Sequence, residues 1–224
     1  MWFNIIDDKL FPLMNGSDNL FLDGVMTSIT SAYTWIPLFL SLIFIIIRNN
    51  ETMRQILMII FFALVAVLLS GGVDDAIVKP LVMRVRPLNE PMLGLSVDTV
   101  KGVSESSFSF FSAHSANTFA IATFVALLVR SNILACFMFG WAALNAFSRV
   151  YLGVHYPTDI LVGMVWGCVM GCISYVAYDY LFYKHSPRIN YISSQYTKTG
   201  YSYGDIDFVI SIMVFTLAVI TIFF

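Results

Sequence analysis

The stretch PTDILVGMVWGCVMGCISYVAYDY, residues 157–180, carries charge only near its ends and is long enough as a helix to cross a hydrocarbon layer of about 30 Å. Gly163, Gly167 and Gly171 recur at every fourth position within it, a small-residue stripe that lets a second helix approach closely in lipid. Five more apolar runs accompany it: Gly24 to Ile47, Gln55 to Val73, a run after His114 to Val129, one after Asn132 to Ala146, and a C-terminal span over 206–224 that is uncharged from Phe208. With 58% hydrophobic and only 12% charged residues, and mean hydropathy +0.80 over 224 residues, the chain reads as an integral membrane protein. The predicted fold is all-α: a polytopic helix bundle of about six transmembrane helices, in one domain over 1–224. Residues 1–19 set Trp2, Phe3, Ile5, Ile6, Leu10, Phe11 and Leu13 against Asp7, Asp8 and Lys9, which predicts an interfacial helix.

A formal charge of -2 without any long basic run excludes a nucleic-acid partner, which requires a clustered cationic face. The acidic N-terminal residues and the lack of a small-residue cleavage site predict no cleaved signal. Cys136, Cys168 and Cys172 all fall inside apolar runs and are expected to be reduced small hydrophobes. The pair Asp74-Asp75 is expected to end the second run and open a long polar connection over 74–113, with Lys79, Arg84, Arg86 and three prolines. Orientation follows from the loop cations. One side holds Arg48, Arg54, Arg130, Lys184, Arg188 and Lys198, and the other Lys9, Lys79, Arg84, Arg86, Lys101 and Arg149. Setting aside Lys79, Arg86 and Arg149 as binding residues leaves only three on the second side, so the positive-inside rule makes the 74–113 connection extracytoplasmic, with both termini on that face.

The connections after the second and fourth runs, and the start of the third, open on one face. Lys79, Arg86, His114, Arg149, His155 and Asp159 therefore reach one depth. Singly, the cations read as snorkelling interfacial anchors and His155 as a structural histidine. Together, three cations, two histidines and a carboxylate make an oxyanion site. A phosphate suits it, since arginine forks hold its oxygens bidentately and lysine adds a point charge. Main-chain N–H groups from Ser112 and Ala113 to Ser115, in the first turn of the third run, add an anion site at a helix N-terminus. His155 and Asp159, four residues apart with Pro157 between them, form a nucleophile with an orienting carboxylate. A zinc ion at the two histidines and Asp159 would be repelled by the adjacent cations, so no metal is expected.

These residues resemble a known family. Lys79, six residues, Arg86-Pro87; then Phe-Ser-Ala-His at 111–114; then Ser148-Arg149, five residues, His155, three residues, Asp159: this order is similar to the three-part signature of the type-2 phosphatidic acid phosphatase superfamily. The resemblance implies a cofactor-free, metal-independent phosphatase in which His155 attacks phosphorus, Asp159 orients it, His114 protonates the leaving oxygen, and Lys79, Arg86, Ser112 and Arg149 hold the phosphate. Two departures stand out. Phe111 and Ala113 replace the proline and glycine usual in the second motif, and Ala113 is expected to be helical. Only two spans precede the lysine motif, where many relatives have three. The expected activity is hydrolysis of a lipid-linked phosphomonoester or pyrophosphate, with the lipid entering from the bilayer at a periplasm-facing site in a bacterial inner membrane. Lipid A phosphate and undecaprenyl pyrophosphate lead, phosphatidylglycerol phosphate and phosphatidic acid follow, and a non-catalytic lipid or anion carrier is the alternative of another class. The tract 89–109 is expected to shape headgroup recognition, with Phe108, Phe110 and Phe111 as interfacial anchors.

Overall fold

The computed structural model describes residues 2–16, 19–90, 97, 98, 100, 105–187 and 191–223. Lys101 and Arg188 of the charge count, and much of the 89–109 tract, lie outside the described residues. From the N-terminus come α1 (Trp2–Met14), α2 (Leu20–Thr30), α3 (Ile36–Arg48), α4 (Met53–Val67), α5 (Lys79–Val82), α6 (Ala113–Val129), α7 (Asn132–Tyr151), α8 (Pro157–Tyr183) and α9 (Tyr203–Phe223). Four helical stretches among the described residues are long and apolar enough to cross a membrane, and the bent pair α2–α3 makes a fifth. The apolar α6, at 17 residues, is shorter and lies inside the bundle against α8, α7 and α4.

The α6–α8 contact positions the site, and the glycine stripe is what permits it. A Cβ on Gly163 would stand 2.7 Å from the Ser112 carbonyl oxygen and one on Gly171 2.5 Å from that of Ala120, while one on Gly167 would overlap the carbonyl of Ala116. Close backbone approach of this kind needs glycine at each position. It sets the start of α6 beside the start of α8, where the Ser112 N–H donates to the Asp159 main-chain carbonyl at 3.2 Å.

Three sequence expectations are corrected. The first apolar run is not one helix: α2 ends at Thr30, Ala32–Trp35 forms a 3-10 turn, and the axis bends by 66° before α3. Pro37 sits in the first turn of α3, where its missing N–H costs nothing, so the helix restarts there instead of running through. The second run does not end at Asp74. Helical structure continues through two π-helical segments, Leu68–Gly72 and Asp74–Val78, into α5. Asp74 is buried rather than solvated because Lys79 Nζ lies 3.3 Å from its carboxylate and 2.5 Å from that of Asp75. The fourth run extends past Ala146 to Tyr151 and carries Arg149 inside its last turn. That charge is tolerated in a buried position because Glu105 and Thr30 meet its guanidinium.

Within the N-terminal stretch read as interfacial, Trp2–Met14 form a helix, α1, lying against α7 and α8. The three cysteines are free thiols on membrane helices.

Candidate active site

The two histidines, Arg149 and Asp159 are delivered at or beside helix ends, and Arg86 and Glu105 by the connection between α5 and α6. His155 sits in the tight connection from α7 to α8, where its main-chain N–H and that of Val154 both reach back to the Arg149 carbonyl. Gly153 turns the chain there with φ +70°. Pro157 opens α8, and the Asp159 side chain accepts the Tyr156 N–H at 3.0 Å, completing a reciprocal cap. Ser112 caps α6 by accepting the Ser115 N–H at 3.4 Å. Ala113 is the first residue of α6 and helical, so the alanine that replaces glycine there carries no left-handed strain. The Phe111 N–H donates to Asp74 at 3.1 Å, tying this approach to the Lys79 cluster.

The imidazole of His155 is 2% exposed. Its Nε2 lies 3.2 Å from Arg86 Nη1. Its Nδ1 lies 3.8 Å from Asp159 Oδ2, about an ångström beyond hydrogen-bond length, and has no hydrogen-bond partner among the described residues. Burial pushes the imidazole down to about 3, with the charges of Arg149 and Arg86 acting the same way and Asp159 opposing. It is therefore neutral at physiological pH, and its Nε2 lone pair accepts from Arg86 Nη1.

Two arginines converge on one acidic side chain beside this ring. Arg149 Nη2 donates to Glu105 Oε1 at 2.9 Å, and Arg86 Nη2 stands 3.6 Å from Glu105 Oε2. Burial alone would raise the Glu105 carboxyl, but the hydrogen bond and charge of Arg149 and the charge of Arg86 bring it below its ordinary value. Glu105 is thus an anion held by the clamp. Arg86 is braced by Ser107 and the Val154 carbonyl, and Arg149 by the Thr30 hydroxyl at 3.1 Å. His114, in the first turn of α6, lies within reach of the charges of Arg149, Glu105 and Lys79.

The fold thus brings His114, Arg149, His155, Asp159 and Arg86 together, with Lys79 alongside and Ser112 and Ala113 at the N-terminus of α6. Sequence reasoning missed four contributors. Thr30 lies in a run that read as an unbroken span. Glu105 lies in the 89–109 tract, expected only as a whole to shape headgroup recognition. Ser109, whose hydroxyl donates to Asp159 Oδ2, lies in the same tract. Arg84, counted as a topological charge, instead bonds Asp159 Oδ1 through Nη1 at 2.6 Å. Its position two residues before Arg86 was the one available signal, since alternate residues of an extended segment share a face.

A model of the PAP2 superfamily matches residues 56–183. A lipid A 4'-phosphatase of Bacteroides thetaiotaomicron is 33% identical over 172 residues, covering 76% of each chain. A lipid A 4'-phosphatase of Porphyromonas gingivalis is 29% identical over 175 residues, covering 78% of this chain and 74% of its own. The crystal structure of Aquifex aeolicus LpxE aligns with TM-score 0.56 at 26% identity, covering 74% of this chain and 92% of that one. A transmembrane PAP2-type phosphatidylglycerolphosphate phosphatase from Bacillus subtilis aligns with TM-score 0.53 at 27% identity, covering 81% and 85%.

Proposed function

This chain belongs to the PAP2 superfamily, and from that premise we propose that it is a membrane phosphatase hydrolysing a lipid-linked phosphate, with lipid A phosphate as the leading substrate. The observation that carries the reading is the neutral, buried His155 imidazole beside two arginines that already hold an anionic group. The two lipid A 4'-phosphatases among the relatives favour lipid A over undecaprenyl pyrophosphate. The likeness to the Bacillus subtilis enzyme supports phosphatidylglycerol phosphate as the second reading.

In this mechanism the substrate phosphate enters the clamp of Arg86 and Arg149, with Lys79 supplying further positive charge. Its remaining oxygens take N–H donors at the start of α6 around Ser112 and Ala113. His155 Nε2, the nitrogen that faces Arg86, attacks phosphorus. The N–P bond forms as the P–O bond to the lipid breaks, and His114 donates a proton to the departing oxygen. Asp159 moves within hydrogen-bond length of Nδ1–H and stabilises the charge that develops on the ring. Water then attacks phosphorus as the N–P bond breaks and its electron pair returns to Nε2; His114 takes the proton from that water, and inorganic phosphate leaves. No step requires a metal. The site opens at helix ends on the face assigned as periplasmic, in a bacterial inner membrane, where a lipid headgroup reaches it from the bilayer.

Phosphate release from a panel of lipid A, undecaprenyl pyrophosphate, phosphatidylglycerol phosphate and phosphatidic acid, in detergent with excess chelator, tests this reading. Lipid A is expected to turn over fastest, and His155→Ala to abolish release while substrate binding persists. Full activity in His155→Ala, or activity that chelator removes and zinc restores, would overturn the mechanism. Binding without release for every member would favour the carrier.

A further inference from the structure

We propose that Asp7, on the N-terminal helix α1, is a positioning residue for the catalytic carboxylate Asp159, acting through Arg84 and Thr158. The inference rests on the assignment of His155 and Asp159 above. It concerns a residue outside the 56–183 region that the family model matches.

Asp7 is 2% exposed, an unusual setting for a carboxylate on an interfacial helix. Its Oδ1 accepts the Thr158 N–H at 2.9 Å. Its Oδ2 accepts the Thr158 hydroxyl at 2.6 Å and Arg84 Nη2 at 2.5 Å. The other arm of the same guanidinium, Nη1, bonds Asp159 Oδ1 at 2.6 Å and Thr158 Oγ1 at 2.9 Å. One rigid fork therefore joins two carboxylates. The Tyr156 ring lies 3.9 Å from the guanidinium carbon and holds its plane, and Phe11, one helical turn beyond Asp7, packs against that ring.

The consequence falls on Asp159 Oδ2. Because Arg84 is shared with Asp7, it engages only Oδ1 of Asp159. Oδ2 is left to the Tyr156 N–H, to Ser109 and to the nearby His155 Nδ1. If Asp7 loses its charge, the guanidinium is free to recentre on Asp159 and take both oxygens, the geometry an arginine prefers with a lone carboxylate. Oδ2 is then drawn from the imidazole it must orient. Asp7 acts as a counterweight that keeps the second oxygen available.

The test uses the full-length protein in detergent and the panel member turned over fastest, with intact sites counted by orthovanadate titration. Asp7→Asn keeps the shape and the Oδ1 acceptor but removes the charge. It is expected to lower kcat per vanadate-binding site by about 10- to 100-fold, the cost of a small misplacement, with KM within about twofold. Asp7→Glu, which keeps the charge, should recover part of the loss. In an Arg84→Met background, Asp7→Asn should cause no further loss, since the fork that couples the two acids is gone. Unchanged kcat per site in Asp7→Asn, including the case of few but fully active sites, would reduce Asp7 to a docking residue and overturn the proposal. So would losses that multiply with Arg84→Met. Failure of the underlying assignment shows separately, as turnover surviving in His155→Ala.

Discussion

The Glu105 carboxylate and the Arg149 guanidinium meet at 2.9 Å, inside the clamp assigned to the substrate phosphate. Glu105 side-chain exposure is 35%, so solvent reaches this member of the clamp. An arriving phosphate must displace this carboxylate or share the arginines with it. Glu105→Gln is therefore expected to tighten inhibition by inorganic phosphate about tenfold, the scale of one charge-assisted hydrogen bond. Product-inhibition constants for the two proteins check this, and equal constants would show that Glu105 does not compete.

Thr30 braces Arg149 from the break between α2 and α3. Thr30→Val removes the acceptor at nearly constant volume and leaves a buried guanidinium N–H without a partner. A fall of about tenfold in kcat/KM, mostly through KM, is expected on the proposed role of Arg149 in holding phosphate. Arg149→Lys loses the fork itself and should cost about a hundredfold. Steady-state kinetics on both variants separate bracing from direct contact.

Gly167 touches the backbone of α6, not a movable side chain. Gly167→Ala is expected to destabilise the protein by about 1–3 kcal/mol through overpacking, despite the better helix propensity of alanine. Gly72→Ala is the control, because a Cβ there meets nothing within 4 Å. Thermal unfolding in detergent should show a lowered midpoint for the first and not for the second.

The depressed imidazole of His155 has a stability consequence. The folded state holds it neutral to about pH 3, whereas the unfolded chain takes up a proton near the ordinary value of 6.5. Between those values the unfolded state binds more protons, so this contribution is full above pH 6.5 and is lost progressively as pH falls. Midpoints measured from pH 7 to pH 4.5 should therefore decline, and His155→Asn should flatten that decline. Glu105 adds its own loss only at lower pH, as protonation breaks its pair with Arg149.

Orientation is open to chemical labelling. In a chain whose three cysteines are replaced by serine, a membrane-impermeant thiol reagent applied to intact cells should reach Asp98→Cys and not Ser131→Cys. The reverse pattern would turn the site to the cytoplasm.

Much of the site was legible because its parts lie at short, ordered spacings. His155 and Asp159 sit one helical turn apart, and Lys79, Arg86 and Arg149 stand out against apolar sequence. The bracing groups were not legible. Thr30 and Asp7 are far from these motifs in sequence and belong to residue types that usually mean nothing at such positions. Their roles arise from contacts across 119 and 151 residues, to Arg149 and to Thr158. The expected pairing of His155 with Asp159 stands at 3.8 Å rather than at hydrogen-bond length, because Arg84, Ser109 and the Tyr156 N–H hold that carboxylate.

By itself, then, the sequence determined the membrane-embedded helical class, a glycine stripe on α8 open to a close helix neighbour, and the chemical types of the candidate site, while the fold decided that the neighbour is α6. These follow from periodicity, hydropathy and local spacing, which act within a few turns of chain. The tertiary structure alone decided where the first span breaks, how far the second and fourth helices run, and which acid neutralises which cation. Helix ends and buried charges are stabilised by partners from distant segments, and such partners exist only once the chain has folded.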